Sequence, residues 1–114
     1  MKLSEPSRDL ARRVLAEVDF NRRLVGYKMH RRAGPSPLSL YSFEEVVGLL
    51  LHPLSQIDFS ELEQWVREVM QDPELADRIR EQRTRNVSAM RKTANIRDLM
   101  AKRLIQCGRV NKIN

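Results

Sequence analysis

Apolar residues recur at helical spacing through Leu10, Ala11, Val14, Leu15, Val18, Leu24, Val25 and Met29, and they predict a long first helix over residues 7–32. Ser4 and Ser7 are candidate N-caps, and Pro6 is tolerated in a first turn. Asp9 with Arg13, and Asp19 with Arg23, stand four apart in the favourable acid-first order on the outer side. Gly34-Pro35 supplies a C′ glycine followed by a breaker. The stretch GPSPLSLYS at 34–42 then reads as a loop, with Pro35 and Pro37 favouring an extended path over a surface.

Ser42 and Glu45 stand in capping-box spacing before Val46, Val47, Leu49, Leu50 and Leu51. This predicts a helix over 43–51 that is apolar on all sides and hence the most buried element, closed by His52-Pro53. Asp58 and Glu61 repeat the spacing, and Phe59, Leu62, Trp65, Val66, Val69 and Met70 mark a helix over 59–71 with Glu63 and Arg67 paired on its wet side. Asp72 caps the next helix and Pro73 takes its first position. Its stripe of Leu75, Ala76 and Ile79 is interrupted by REQRTRN at 80–86, which holds no apolar side chain. The stripe resumes at Val87, Met90 and Ala94, then Ile96, Leu99, Met100 and Leu104, with Gly108 as the stop and a frayed VNKIN tail.

The expected fold class is all-α: a small bundle of about four helices with a long basic C-terminal helix. Residues 1–79 form the helical body, with helices at 7–32, 43–51, 59–71 and from 73 onward. Residues 80–114 form a basic helical segment of the same domain or one projecting from it, continuous or broken near 84–88.

Composition supports this picture: 5% aromatic residues and few strand-favouring runs argue against a sheet. The net charge of +6 is unevenly laid out. Residues 8–32 hold eight Lys/Arg against three acids, residues 43–77 hold Arg67 against nine acids, and residues 78–114 hold eleven Lys/Arg against two acids. The single Cys107 cannot form an intrachain disulfide, so a reducing, cytoplasmic setting is expected. Met1-Lys2-Leu3 runs into Ser4-Glu5-Pro6 without the apolar region of a signal peptide, and the longest apolar run, Leu49 to Leu51, is far short of a membrane span.

An enzyme is not expected. His30 and His52 lie on different elements without ligands at metal-binding spacing, and no phosphate-loop, dinucleotide or nucleophile-elbow motif is present. No cofactor or metal is expected either, since Asp58, Glu61, Asp72 and Glu74 lie in first turns where a carboxylate offsets the helix dipole. Helices 43–51 and 58–70 have helix-turn-helix proportions, but the exposed Glu61, Glu63 and Glu68 would meet phosphate repulsion, so the pair reads as the core hairpin of the bundle.

The remaining surface is the Arg-rich last third. Arg80, Arg83, Arg85, Arg91, Lys92 and Arg97 are the candidate partner- or phosphate-binding residues, interleaved with Thr84, Asn86, Ser88, Thr93 and Asn95. Ile96, Leu99, Met100 and Leu104 form a candidate helix–helix interface. The leading expectation is a non-enzymatic binding or assembly protein whose basic C-terminal helix docks an acidic protein or complex subunit, itself included as a homo-oligomer. The alternative is sequence-independent contact with nucleic-acid phosphates, and membrane binding is disfavoured because the basic helix has no aromatic anchors.

Overall fold

Ser7 opens the first helix as expected, its Oγ accepting the Leu10 N–H at 3.1 Å, but that helix, α1, spans only Arg8–Leu15. The backbone turns extended at Ala16, and the chain continues as a strand rather than a helix. In the computed structural model, which describes residues 3–52 and 54–112, the element order after α1 is a 3-10 turn (Phe20–Arg22), β1 (Leu24–His30), β2 (Gly34–Leu40), α2 (Phe43–Leu50), β3 (Ser55–Gln56), α3 (Phe59–Glu68), α4 (Pro73–Thr84) and α5 (Ala89–Lys112). The all-α bundle expected from the sequence is thus corrected to a mixed fold: among the described residues, five α-helices pack around a three-stranded antiparallel sheet of order β2-β1-β3. Pro53, assigned above as a helix breaker, and the last two residues of the tail lie outside the described residues.

The correction has a physical cause. A glycine inside a helix costs about 1 kcal/mol relative to alanine, whereas Gly26 in β1 has a packing use. A Cβ built there would run into Leu49 Cδ2 of α2 and lie 3.4 Å from Leu40 Cδ1. The prolines of GPSPLSL are equally at home in a strand. Met29 N–H donates to Leu54 O, so odd residues of β1 face β3 and even residues face β2. Leu24 pairs with Leu40, Gly26 with Leu38 and Lys28 with Ser36, which turns Pro35 and Pro37 to the outer edge, where a missing N–H costs nothing. The Arg31–Ala33 turn closes at Gly34, whose φ of 72° is the left-handed conformation such hairpins favour. Replacing Gly26 with valine is expected to cost about 2 kcal/mol through overpacking against Leu49. The urea midpoint checks it: an unchanged midpoint would mean that α2 does not seat on this strand as described.

The later caps match their sequence signals. Ser42 Oγ accepts Glu45 N–H at 3.1 Å, Asp58 Oδ1 accepts Ser60 N–H at 2.8 Å, and Asp72 Oδ1 accepts Leu75 N–H at 3.2 Å with Pro73 at the helix start. The helix pair expected as a core hairpin is not one: β3 intervenes, and α3 packs chiefly on α4. REQRTRN is helical only to Thr84; Arg85 turns extended, and Ser88 caps α5 through Arg91 N–H at 3.2 Å. Gly108 is no stop, since α5 continues to Lys112.

The core joins Ala11 and Val14 of α1, Leu24 and Leu40 of the sheet, Phe43, Val46, Leu49 and Leu50 of α2, Leu62, Trp65 and Val66 of α3, Leu75 and Ile79 of α4, and Ile96, Met100 and Cys107 of α5. Trp65 Nε1–H is satisfied by the Arg22 carbonyl at 2.7 Å. Residues from 89 onward are therefore packed into the body, against α1, α4 and α2. Among the described residues no helix is long and apolar enough to cross a membrane.

Candidate functional site

Opposite charges four apart on a helix are ordinarily a surface pair, and Glu63 with Arg67 has that spacing. The fold instead buries Glu63, because α4 lays two further arginines over it. Glu63 Oε2 accepts from Arg80 Nε at 3.0 Å and from Arg67 Nη2 at 3.3 Å, while Oε1 accepts from Arg83 Nε and Nη2 at 3.2 and 3.1 Å. Burial pushes the Glu63 carboxyl up, but the hydrogen bonds from Arg83, Arg67 and Arg80 outweigh it and hold the pKa below the ordinary value of 4.5. The expected wet-side pair is thereby corrected to a buried carboxylate under three guanidinium groups. Two of the predicted phosphate-binding residues, Arg80 and Arg83, are engaged within the chain.

The other predicted residues separate similarly. Arg85 donates to Gln82 Oε1 at 3.3 Å, and Asn95 donates to the same oxygen at 3.0 Å, tying the start of α5 to α4. Thr84 and Thr93 hydroxyls bond back to the Arg80 and Ala89 carbonyls. Arg97 stands 3.6 Å from Asp98, and the side chains of Arg91 and Lys92 make no hydrogen bond or ion pair among the described residues. Ile96 and Met100 are fully buried and Leu99 and Leu104 pack against the core, so this stripe is spent within the chain. The apolar side chains that α5 leaves in solvent are Met90 and Ile105.

Arg103, which no spacing rule singles out, is the largest fully buried side chain. Its Nη2 donates to Glu74 Oε1 at 2.8 Å and Asp72 Oδ1 at 3.3 Å, and its Nη1 donates to the Ser4 carbonyl at 2.7 Å. Nε lies 2.8 Å from Asp72 Oδ2 but off the N–H axis, a close ion pair without an aligned hydrogen bond. Glu74 also accepts the Ser4 N–H and hydroxyl, and although burial pushes its carboxyl up, these bonds and Arg103 hold it below the ordinary value. Burial pushes the Cys107 thiol up to about 11, so it is protonated at neutral pH and unsuited to nucleophilic work.

A groove of about 1010 Å³ opens where five elements meet. One wall is the end of α2 with β3 and the start of α3, offering Leu51, Ile57 and Phe59; the other is the first three turns of α5, offering Met90 and Arg97. Tyr27 reaches its floor because β3 pairs with β1 at Tyr27 and Lys28. The bend that shapes the first wall is local: His52 Nδ1 accepts Leu54 N–H at 3.2 Å, and Ser55 Oγ donates to the His52 carbonyl at 2.8 Å. Met90 is 84% exposed and Leu51 62% exposed, so large apolar side chains face water at the mouth. His52 and Asp58 line the groove, but one is used in the bend and the other as a helix cap, and among the described residues no three His, Cys, Asp or Glu side chains converge.

No protein-family model, curated protein or solved structure matches this chain. The site therefore stands on its geometry. Sequence reasoning missed Tyr27, Leu51, Ile57 and Phe59 because the groove's walls come from separate elements and share no linear pattern. The one local signal was Leu51 to Ile57, an apolar stretch broken by polar residues that a helix reading left unexplained.

Proposed function

We propose that this protein is a non-enzymatic docking module that receives an acidic amphipathic helix of a partner protein in the groove between α2–β3 and α5. The observation that carries this reading is the apolar groove with Met90 and Leu51 in solvent and Arg97 in its lining, on the helix that also carries Arg91 and Lys92. An amphipathic helix buries its apolar stripe in such a groove while its acidic flank meets Arg97 and the positive charge of α5 around it. A strand is a poorer occupant, because β3 offers only Ser55 and Gln56 as an edge. A second copy is also a poorer occupant: the exposed face of α3, the chain's acidic helix, carries Ser60, Glu61, Gln64 and Glu68 and no large apolar residue to insert. A cytoplasmic location accompanies this reading, since the lone thiol of Cys107 is buried and unpaired.

A photo-crosslinking residue in place of Met90, activated in cells of the native host, tests it. The expected result is one dominant protein adduct whose cross-linked peptide is acidic and amphipathic. A synthetic version of that peptide is then expected to bind at least about tenfold more weakly to a Leu51→Asp variant, which loses about 1.4 kcal/mol or more of groove contact. An adduct to nucleic acid, an adduct to a basic peptide, or affinity indifferent to Leu51→Asp overturns the proposal.

A further inference from the structure

Between Phe20 and Phe43 the chain carries five Lys/Arg and no acid. Three cations of the larger basic block at 78–114, Arg80, Arg83 and Arg103, are taken up inside the fold by Glu63, Asp72 and Glu74, whereas among the described residues no acid pairs with the cations of this smaller block. Within it, Arg23 is occupied, donating from Nε to Ser39 Oγ at 3.1 Å and from Nη1 to the Phe20 carbonyl at 2.9 Å, stacked 3.7 Å over the Phe20 ring. Lys28 stands over a shallow hollow shared with Glu45. Arg31 and Arg32 sit in the turn of the β1–β2 hairpin, exposed beside the exposed His30. No described residue accepts a hydrogen bond from either guanidinium or pairs with it.

The hairpin is built so that its tip is what meets a partner. Its last tie to β3 is at Lys28 and Met29, and His30–Pro35 continue beyond as a free two-stranded ribbon. The outer edge of β2 carries Pro35 and Pro37, which have no N–H to offer, so strand addition there is blocked. Residues 28–36 hold no Phe, Tyr or Trp, which removes a membrane anchor and leaves the His30 imidazole as the sole ring that could stack on a base. Two adjacent arginines on a ribbon tip are suited to phosphate oxygens, which a guanidinium forks bidentately. The major groove of B-form DNA admits a two-stranded ribbon, whereas that of an A-form duplex is too narrow.

We infer that the β1–β2 hairpin is a second, independent binding surface, which enters the major groove of double-stranded DNA and holds the phosphates flanking it through Arg31 and Arg32, without reading base sequence. It does not rest on the docking groove, and the two tests use different residues.

Fluorescence anisotropy with a short labelled DNA duplex of arbitrary sequence tests the inference. Two phosphate contacts contribute about −1.8 to the slope of log affinity against log salt, at about −0.9 each. The Arg31→Gln/Arg32→Gln variant is therefore expected to flatten the slope by about that amount and to bind at least about tenfold more weakly at low salt. A Lys102→Gln/Arg109→Gln variant is expected to stay within about twofold of the parent, since those exposed cations lie on neither surface. DNA is also expected to protect Arg31 and Arg32 of the unaltered protein from phenylglyoxal, read by mass spectrometry, which needs no variant to fold. Absence of duplex binding at low salt, a slope unmoved by the hairpin variant, or no protection of Arg31 and Arg32 overturns it. So does equal affinity for single-stranded DNA, an RNA duplex or phosphatidylserine vesicles.

Discussion

Replacing Arg103 with methionine is expected to destabilise the protein by about 4 kcal/mol, the range seen when one partner of a buried ion pair is removed. Arg103 and Asp72 are each 1% exposed, so the deleted guanidinium leaves a carboxylate that water cannot reach. The loss is compounded because the same guanidinium holds the Ser4 carbonyl and Glu74, and so ties the segment before α1 to the start of α4. Methionine fills comparable volume, so cavity formation is a minor part of the effect. For a chain of this length the loss corresponds to a fall in Tm of about 15 °C. The double variant Arg103→Met/Asp72→Asn separates charge from packing. Asparagine keeps the helix cap that Asp72 provides to Leu75 but carries no charge to strand. It is expected to recover about 2 kcal/mol of the single variant's loss. A single variant costing less than about 1 kcal/mol, or a double variant no better than the single, would show that the pair is not the internal brace described here.

What was legible in the sequence was whatever is decided within a few residues. Ser7, Ser42, Asp58 and Asp72 each cap a helix because the accepting oxygen and the donated N–H are two or three residues apart, and α2, α3 and α4 start where those residues stand. The hairpin was illegible for the opposite reason. Leu24, Val25 and Met29 satisfy helical and strand spacing almost equally over so short a run, and only Leu40 and Leu49, far along the chain, decide between them by packing over Gly26. Pro35 and Pro37 spoke against a strand only if their N–H positions faced a neighbour, and the register places them on the open edge.

The candidate site was partly legible in the same sense. The sign of the C-terminal charge was plain, but which arginines remain free depends on Glu63, Asp72 and Glu74 meeting residues seventeen to thirty-one positions away. Arg91 and Lys92, whose side chains keep no partner among the described residues, are a third of the set expected, and they lie with Arg97 on the helix that walls the groove. Arg31 and Arg32 were counted within a first helix, where the following loop hid their place at a ribbon tip.

Replacing Glu63 with glutamine is expected to cost about 2 kcal/mol at neutral pH, less than the Arg103 variant although three ion pairs are broken. The difference lies in where the stranded charges end up. Arg67 and Arg83 are about a third exposed and Arg80 more than half, so all three can turn toward water and the penalty is nearer the surface limit than the buried one. What remains is repulsion among three guanidinium groups brought together by α3 and α4, relieved in part by Asp77, which accepts from Arg67 at 2.8 Å. The acid limb of the stability curve tests the same carboxylate from the other side. The folded pKa of Glu63 lies below 4.5, so as the pH falls through that value the unfolded chain takes up the proton first, and stability declines with it. Parent and Glu63→Gln are therefore expected to converge in urea midpoint as the pH falls below 4.5, with Glu74, also depressed, keeping a smaller decline in the variant. Parallel curves down to strongly acid conditions would place the contribution of Glu63 in shape rather than charge, and the three arginines above it would then be free for an anionic partner after all.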